Sequence, residues 1–189
     1  MEKDKVYGVL FDGAWLWEEY LNSVLQNSNL GITHAKNKTG ENGISLYKGG
    51  KKCYYPDFYR KAKNDESGNR SFVLDAKYKR LGNDVRIDEQ EAPMAPNRVS
   101  ICRDDLFQMI TYMHVLPAKH CALLYPIERN EHSTIHHIVE SSKRELEGFG
   151  GEIKGLGIRI SNQIEYRAFC QEMYDFEKEL LTILEKWMA

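Results

Sequence analysis

The chain has 189 residues, of which 42% are hydrophobic and 29% charged, as in one ordinary globular domain that is long enough to bury a core. Its net charge of -2 neither favours nor excludes a nucleic acid partner. The four cysteines are far apart without a CxxC pair, which excludes the common zinc and iron–sulfur motifs. No membrane span or signal peptide is predicted, so we expect a cytoplasmic protein.

The first predicted element is an amphipathic helix. Residues 1–7 are a polar lead-in, and Asp12 is placed to cap a helix that runs to about Asn27. A carboxylate in the middle of an apolar stripe costs free energy unless it is hydrogen-bonded or binds a metal, which makes Glu18 a candidate site residue. The alternative is a helix rotated enough to expose Glu18 to solvent. The predicted stripe around Glu18 consists of Phe11, Ala14, Leu21 and Leu25.

Two segments in the middle of the chain predict a β-hairpin that carries acidic residues. Residues 53–61 and 72–79 are typical of strands, and a polar loop separates them. Folding the hairpin about the middle of that loop places Asp57 opposite Asp75, to within a residue or two. Because side chains alternate along a strand, Asp75 and Lys77 share one face. The opposite face is expected to carry Phe72, Leu74, Ala76 and Tyr78.

These acidic residues predict a metal site. Two facing carboxylates about 5 Å apart destabilise a sheet unless a cation offsets their repulsion. Mg²⁺ binds through one or two carboxylates and keeps water and phosphate oxygens as its other ligands. Lys77 would then orient an attacking water or stabilise charge on a phosphate. An ordinary Pro-Asp turn followed by a chance Asp-x-Lys triplet is the alternative.

The charge is unevenly distributed along the chain. Residues 48–86 hold 11 Lys and Arg against 5 Asp and Glu, a net of +6, whereas residues 163–189 hold 3 against 6, a net of -3. A basic hairpin with acidic ligands suits a polyphosphate substrate. Lys79 and Arg80 in this segment are candidate DNA-binding residues. A solvated charged loop explains residues 61–70 equally well.

The segments around and after the hairpin complete an α/β pattern. A short strand at residues 44–47 is expected to join the hairpin in an antiparallel meander, and residues 81–100 form a long loop. Asp104 is placed to cap a helix from Asp105 to about Val115. Its core stripe should consist of Leu106, Met109, Ile110 and Met113, with Gln108 and Tyr112 on a different face.

The last third of the chain predicts further strands and one long helix. A buried strand at residues 121–125 should end at Pro126. Residues 134–139 and 157–160 suit strands, and residues 141–147 suit a helix. Residues 163–187 predict a long amphipathic helix that packs on the sheet or on a partner.

Several short motifs follow one another between residues 8 and 126. They are Leu10-Phe11-Asp12, Leu16-Trp17-Glu18-Glu19-Tyr20-Leu21, Tyr55-Pro56-Asp57-Phe58, Leu74-Asp75-Ala76-Lys77-Tyr78-Lys79 and Asp105-Leu106-Phe107-Gln108-Met109. Their order resembles the PD-(D/E)xK nuclease superfamily. More closely, the residues in these motifs resemble the nuclease domain of McrC-type subunits of modification-dependent (5-methylcytosine) restriction systems.

The resemblance implies a fold, an activity and a partner. The fold would be α/β, with a restriction-endonuclease-like mixed β-sheet flanked by helices, and residues 1–189 would form a single nuclease domain. The activity would be Mg²⁺-dependent cleavage of double-stranded DNA, with Mn²⁺ able to substitute. The partner would be a GTP-driven AAA+ motor of the McrB type. Because such subunits usually carry another region before the nuclease domain, we expect a fragment, an excised domain or a stand-alone relative.

Carried onto matching positions, the resemblance also implies roles for individual residues. Asp57 and Asp75 would bind the metal together with the backbone carbonyl of Ala76, and Lys77 would orient the attacking water. Glu18 would be an accessory acid and a further metal ligand. Gln108 and Tyr112 would support the site.

Two alternatives to a restriction nuclease stay open at this point. One is a repair or recombination nuclease of the same superfamily, acting as a symmetric dimer on branched DNA. The other is a catalytically silent module that binds DNA or a partner through the basic hairpin and the C-terminal helix.

Overall fold

The computed structural model describes residues 12–62, 71–78, 101–127, 138–140, 144–148 and 150–188. The lead-in at residues 1–7, the long loop at residues 81–100, and Lys79 and Arg80 lie outside the described residues. The elements in chain order are α1 (Gly13–Gln26), β1 (Thr33–His34), β2 (Ile44–Ser45), β3 (Cys53–Tyr54), β4 (Phe58–Arg60), β5 (Phe72–Ala76), α2 (Arg103–Val115), β6 (His120–Ile127), β7 (Ile138–Glu140), β8 (Arg144–Glu145), β9 (Glu152–Arg159) and α3 (Tyr166–Met188).

A mixed sheet is the centre of the domain. Its strand order is β1-β4-β5-β6-β9-β7, and β8 also pairs with β9. The three central strands β5, β6 and β9 are parallel, whereas the pairs at either side are antiparallel. Parallel strands need apolar cover on both faces, and residues 72–75 of β5 are accordingly all buried. The predicted α/β class with a mixed sheet flanked by helices is confirmed.

Helices cover both faces of this sheet. Side chains of α1 and α3 pack with Phe72 and Leu74 on one face, and side chains of α2 pack with Val73 on the other. The alternation predicted along β5 is therefore observed. The C-terminal helix packs on the sheet through Met173, Phe176, Leu180, Leu184 and Trp187. Within the described residues, no helix is both long and apolar enough to cross a membrane.

The register predicted for the central hairpin is confirmed. Phe58 pairs with Leu74, and continuing this register by one residue places Asp57 opposite Asp75. The strand predicted over residues 53–61 is nevertheless interrupted, because Pro56 has no N–H to donate to a sheet ladder. The strand predicted at residues 44–47 pairs antiparallel with β3 as expected, but its place in one meander with residues 72–79 is wrong, because β2 and β3 form a separate two-stranded sheet.

Helix α1 is rotated relative to the predicted stripe. Asp12 caps the helix as predicted, accepting a hydrogen bond from the Trp15 N–H. Ala14 is exposed, so its predicted place in the core is wrong, and Trp17 is buried instead. The Trp17 indole Nε1–H donates to the Leu124 carbonyl at 3.1 Å, which holds this side of the helix against the sheet. The buried residues of α1 are Trp17, Leu21, Val24 and Leu25.

Helix α2 and strand β6 also differ from their predicted limits. The helix starts at Arg103 after Cys102, so Asp104 is not its cap. Tyr112 is buried in the same core as Met109 and Met113, not separated from it. Pro126 lies inside β6, because its missing N–H faces the side where β5 has already ended.

The last strands show where pairing overrides local pattern. The predicted helix at residues 141–147 is wrong, since Arg144–Glu145 pairs with β9 as a strand. Strand β9 begins at Glu152, five residues before the prediction, because its polar and glycine positions obscure the apolar alternation. Ile164 is fully exposed ahead of α3 and contributes nothing to the helix core.

Candidate active site

The site is built where β4 begins and β5 ends. Asp57 directly precedes β4, and its Oδ2 accepts a hydrogen bond of 2.7 Å from the Ala76 N–H on β5. The Asp57 carbonyl in turn accepts from the Ala35 N–H at 3.1 Å. These two backbone hydrogen bonds fix the Asp57 carboxylate beside the last residue of β5.

The two aspartates are buried, and the fold raises the pKa of both. Burial raises the pKa of Asp57 well above its usual value, and the charges of Asp75 and Glu18 add to the effect. Asp75 is 2% exposed, and burial raises its pKa although the Lys77 ammonium opposes the shift. Two carboxylates with raised pKa values, facing one another across a hairpin, form a site that is short of positive charge.

Lys77 supplies part of that charge. Its Nζ lies 2.6 Å from Asp75 Oδ2 and 3.2 Å from Asp105 Oδ1. Burial alone would lower the pKa of Lys77, but the two carboxylates raise it above its usual value. The backbone N–H of Lys77 donates to the Leu124 carbonyl at 2.9 Å, so the residue is fixed at both ends. The ammonium is therefore charged at neutral pH.

Helix α2 contributes a polar chain that reaches the same ammonium. Lys77 Nζ donates to Gln108 Oε1 at 3.3 Å, and Gln108 Nε2 donates to the Tyr112 hydroxyl at 3.2 Å. Burial raises the pKa of Tyr112, and its hydrogen bond with Gln108 opposes that shift. The spacing of four residues stacks Gln108 and Tyr112 along the helix, which is why the pair can act together.

Glu18 reaches the site from α1 and is held by a histidine. Its side chain is 32% exposed, and its Oε1 lies 2.8 Å from Nε2 of the buried His34 on β1. The His34 ring also packs against Phe58 at a centroid distance of 4.9 Å. Glu18 thus neither sits in the core nor extends freely into solvent. Its negative charge acts on both Asp57 and Asp75.

The structure brings together most of the residues that the sequence singled out. Asp57, Asp75, Lys77, Gln108 and Tyr112 form one connected group, with Glu18 beside it. For Ala76 the observed contact is made by its N–H, and the role of its carbonyl as a metal ligand stays a prediction. Lys79 and Arg80 lie outside the described residues, so their DNA contact also stays a prediction.

Sequence reasoning missed two residues of the site. From the sequence, Asp105 is identified only as the start of a helix and of one motif, without a role, yet it is the second acidic partner of Lys77. Its spacing of three residues from Gln108 was the available signal, because i and i+3 residues share a helix face. His34 gave no signal, since it lies on a two-residue strand.

The donor set suits a hard divalent cation. Asp57 and Asp75 offer carboxylate oxygens, which Mg²⁺ prefers. Apart from the Lys77 ammonium, the buried Asp75 Oδ2 has no hydrogen-bond partner among the described residues. The described part of the chain contains no group of three or more His, Cys, Asp or Glu arranged as a metal cage. The fit to a cation rests on the carboxylate oxygens of Asp57 and Asp75 alone.

Comparison with known proteins identifies the family of this chain. The model of the family described as McrBC 5-methylcytosine restriction system component matches residues 1–126. The chain belongs to this McrBC family. The predicted resemblance to McrC-type subunits is thereby confirmed, and the matched span includes all the candidate residues from Glu18 to Tyr112.

One solved structure similar to the chain is a refined half-complex from a tetradecameric assembly of Thermococcus gammatolerans McrB AAA+ hexamers with bound McrC. The two chains share 15% identity with a TM-score of 0.46. The similarity covers 93% of the present chain and 34% of the other chain. The present chain therefore spans about a third of the length of the other. No curated protein matches the sequence.

Proposed function

We propose that this chain is the nuclease domain of a restriction system and hydrolyses DNA phosphodiester bonds as a Mg²⁺-dependent endonuclease. The observation that carries the proposal is the meeting of Asp57, Asp75 and Lys77 at the end of one strand. There the Lys77 ammonium lies 2.6 Å from Asp75, and the Asp57 carboxylate is anchored on the next residue of the strand. Membership of the McrBC family supports the restriction context.

Asp57 and Asp75 would hold the cation, with the Ala76 carbonyl and Glu18 as further candidate ligands. Mn²⁺ should substitute for Mg²⁺, because both prefer oxygen ligands. When bound, such an ion activates water as a nucleophile at neutral pH and neutralises charge on the phosphate. It would also stabilise the charged form of Asp57, whose pKa is raised by burial and by the charges of Asp75 and Glu18.

Lys77 acts in this proposal as a fixed positive charge. A general base would need a neutral amine, but the pKa of Lys77 is raised by its two carboxylate partners, against the effect of its burial. The ammonium can donate a hydrogen bond to a water or phosphate oxygen and stabilise negative charge as it develops. Gln108 and Tyr112 orient the ammonium through two consecutive side-chain hydrogen bonds.

Double-stranded DNA is the proposed substrate, with Lys79 and Arg80 as candidate contacts to its backbone. A GTP-driven AAA+ motor of the McrB type is the proposed partner, on the ground of the family alone. The cytoplasm as place of action and self-association as a dimer stay predictions.

Plasmid cleavage tests the function directly. The purified chain is incubated with supercoiled DNA and Mg²⁺ or Mn²⁺, beside an EDTA control. Asp75→Asn and Lys77→Ala should each lower the cleavage rate at least about a hundredfold, because they remove a metal ligand and the fixed charge. Asp104→Asn and Lys178→Ala are matched controls on exposed positions and should cut normally. Full cleavage by Asp75→Asn would contradict the assignment.

Two further arms separate the competing functions. If the chain alone does not cut, a GTP-driven partner and methylated DNA are added, and cutting only then identifies a motor-dependent subunit. A preference for branched over linear duplex would favour a repair or recombination nuclease instead. Salt-sensitive DNA binding without cutting under any of these conditions would favour the silent module.

A further inference from the structure

Asp105 is a buried acid to which the proposed reaction gives no task. It lies in the first turn of α2 and is 6% exposed. Its Oδ1 lies 3.2 Å from Lys77 Nζ, so the ammonium is shared between Asp105 on a helix and Asp75 on a strand. Burying a carboxylate is costly unless its charge is compensated, so this arrangement calls for a reason.

The charges of the site indicate that reason. The acids of the site are Asp57, Asp75, Asp105 and Glu18, whereas Lys77 is the ammonium in contact with Asp75 and Asp105. This excess of negative charge favours a divalent cation. Without Asp105 the excess would be smaller, and Lys77 would have Asp75 as its only acidic partner among these residues.

The Lys77 ammonium and a bound cation would compete for the same carboxylate. Asp75 Oδ2 is the atom that the Lys77 ammonium approaches to 2.6 Å, and Asp75 is also a proposed metal ligand. A cation on Asp75 and an ammonium in contact with the same carboxylate repel each other, strongly so in a buried site. Asp105 and Gln108 offer the ammonium a negative and a neutral acceptor on α2, at 3.2 and 3.3 Å.

We propose that Asp105 is a positioning residue that offers the Lys77 ammonium a second acidic partner on α2, so that Asp75 can release the ammonium and bind a divalent cation. The inference rests on the proposed metal site. The two acidic partners of Lys77 then differ in role: Asp75 binds the cation, and Asp105 pairs with the ammonium. Gln108, held by Tyr112, completes the second of these positions.

Calorimetric titration of Mn²⁺ into the full chain without DNA tests this assignment. The proteins compared are the wild type, Asp105→Asn, Lys77→Met and the double variant. Asp105→Asn should weaken Mn²⁺ binding about tenfold or more, since the ammonium then competes for Asp75. Lys77→Met should bind Mn²⁺ at least as tightly as the wild type. The double variant should regain the affinity of Lys77→Met, because no ammonium remains to compete.

Two controls separate positioning from general support of the fold. Asp105→Glu keeps the charge and should bind Mn²⁺ within about threefold of the wild type, and the exposed Asp104→Asn should be unchanged. Thermal unfolding checks that each variant is folded. If Asp105→Asn does not fold, Asp105→Ser, alone and combined with Lys77→Met, replaces it in the same comparison.

The outcomes also distinguish this inference from the proposed function. Wild-type affinity in Asp105→Asn, or a double variant as weak as Asp105→Asn, would overturn the role of Asp105 and leave the metal site standing. No Mn²⁺ binding by either the wild type or Lys77→Met would overturn both. Weakening by Asp105→Asn with rescue by Lys77→Met is the result that supports the inference.

Discussion

Asp57 is a single side chain whose charge the fold opposes. Burial and the neighbouring carboxylates raise its pKa well above the usual value. Because the pKa of the folded state lies above that of the unfolded chain, the contribution of Asp57 to stability is fully present below the unfolded value. It is lost as the pH rises through the folded value. The metal-free domain should therefore become less stable towards neutral pH, because the buried Asp57 carboxylate then ionises.

Asp57→Asn should consequently stabilise the metal-free domain, and the gain should depend on pH. The amide can still accept the hydrogen bond from the Ala76 N–H but carries no charge. We expect a higher melting temperature than the wild type at pH 8 in EDTA, with the difference shrinking as the pH falls through the raised pKa of Asp57.

Thermal unfolding over a pH series measures this difference. Adding Mg²⁺ should raise the melting temperature of the wild type and leave that of Asp57→Asn nearly unchanged, since only the folded state binds the ion. A difference that stays constant from pH 4 to pH 8 would contradict a titrating carboxylate as its cause.

His34→Phe tests the support of Glu18. The phenyl ring can keep the packing on Phe58 but cannot hold Glu18 through a hydrogen bond. Residues that orient a metal-site carboxylate are typically worth about 10- to 100-fold in affinity or activity. We therefore expect DNA cleavage to fall about tenfold, measured beside Glu19→Gln on the same helix. Equal rates for the two variants would show that the histidine has no such role.

The site residues differ in how far the sequence could predict them. Asp57, Asp75 and Lys77 were accessible because the period of a strand and the symmetry of a hairpin place them together. The spacing of Asp105 from Gln108 indicated only a shared helix face, and His34 gave no signal, since each meets its partner across tertiary packing. Local patterns carry no information on which element will lie against which charge.

At the scale of elements, α1 is attached to the sheet through the indole of Trp17. This side chain is 5% exposed and donates to the Leu124 carbonyl. Trp17→Phe should destabilise the domain by about 1–2 kcal/mol, because it leaves a cavity and removes a buried hydrogen bond. Trp15→Phe is the matched control, since Trp15 is 49% exposed. Urea unfolding compares the two, and equal midpoints would argue against the attachment.

The elements themselves were predicted unevenly. The central hairpin and the long C-terminal helix were accessible because their periodicity is strong. The apolar stripe on α1 was not predicted correctly. Burying the large Trp17 gains more than burying Ala14, so the helix turns its Trp17 side to the core. Strand β8 was missed because pairing with β9 overrides a segment that suits a helix locally.

For the whole molecule, the family match and the folded unit have different extents. The match ends at residue 126, but the core continues beyond it. Strand β6 pairs along its length with β9, and α3 covers one face of the sheet. The residues after 126 that complete this core include Leu156, Ile158, Phe176, Leu180 and Leu184.

A chain cut to residues 1–126 should therefore fail to fold. Removing β9 leaves β6 as an unpaired edge, and removing α3 exposes the apolar face that it covers. Near-ultraviolet circular dichroism and thermal unfolding should show no fixed packing and no cooperative transition. A fragment with a sharp unfolding transition would mean that the matched span is a domain by itself.

The Leu124 carbonyl oxygen accepts two hydrogen bonds, from the Lys77 N–H and from the Trp17 indole. Glu18 follows Trp17 directly in the chain, so the helix residue beside Glu18 and the backbone of Lys77 are attached to one atom. Glu18 and Lys77, which are far apart in the chain, are therefore positioned relative to the same carbonyl of β6.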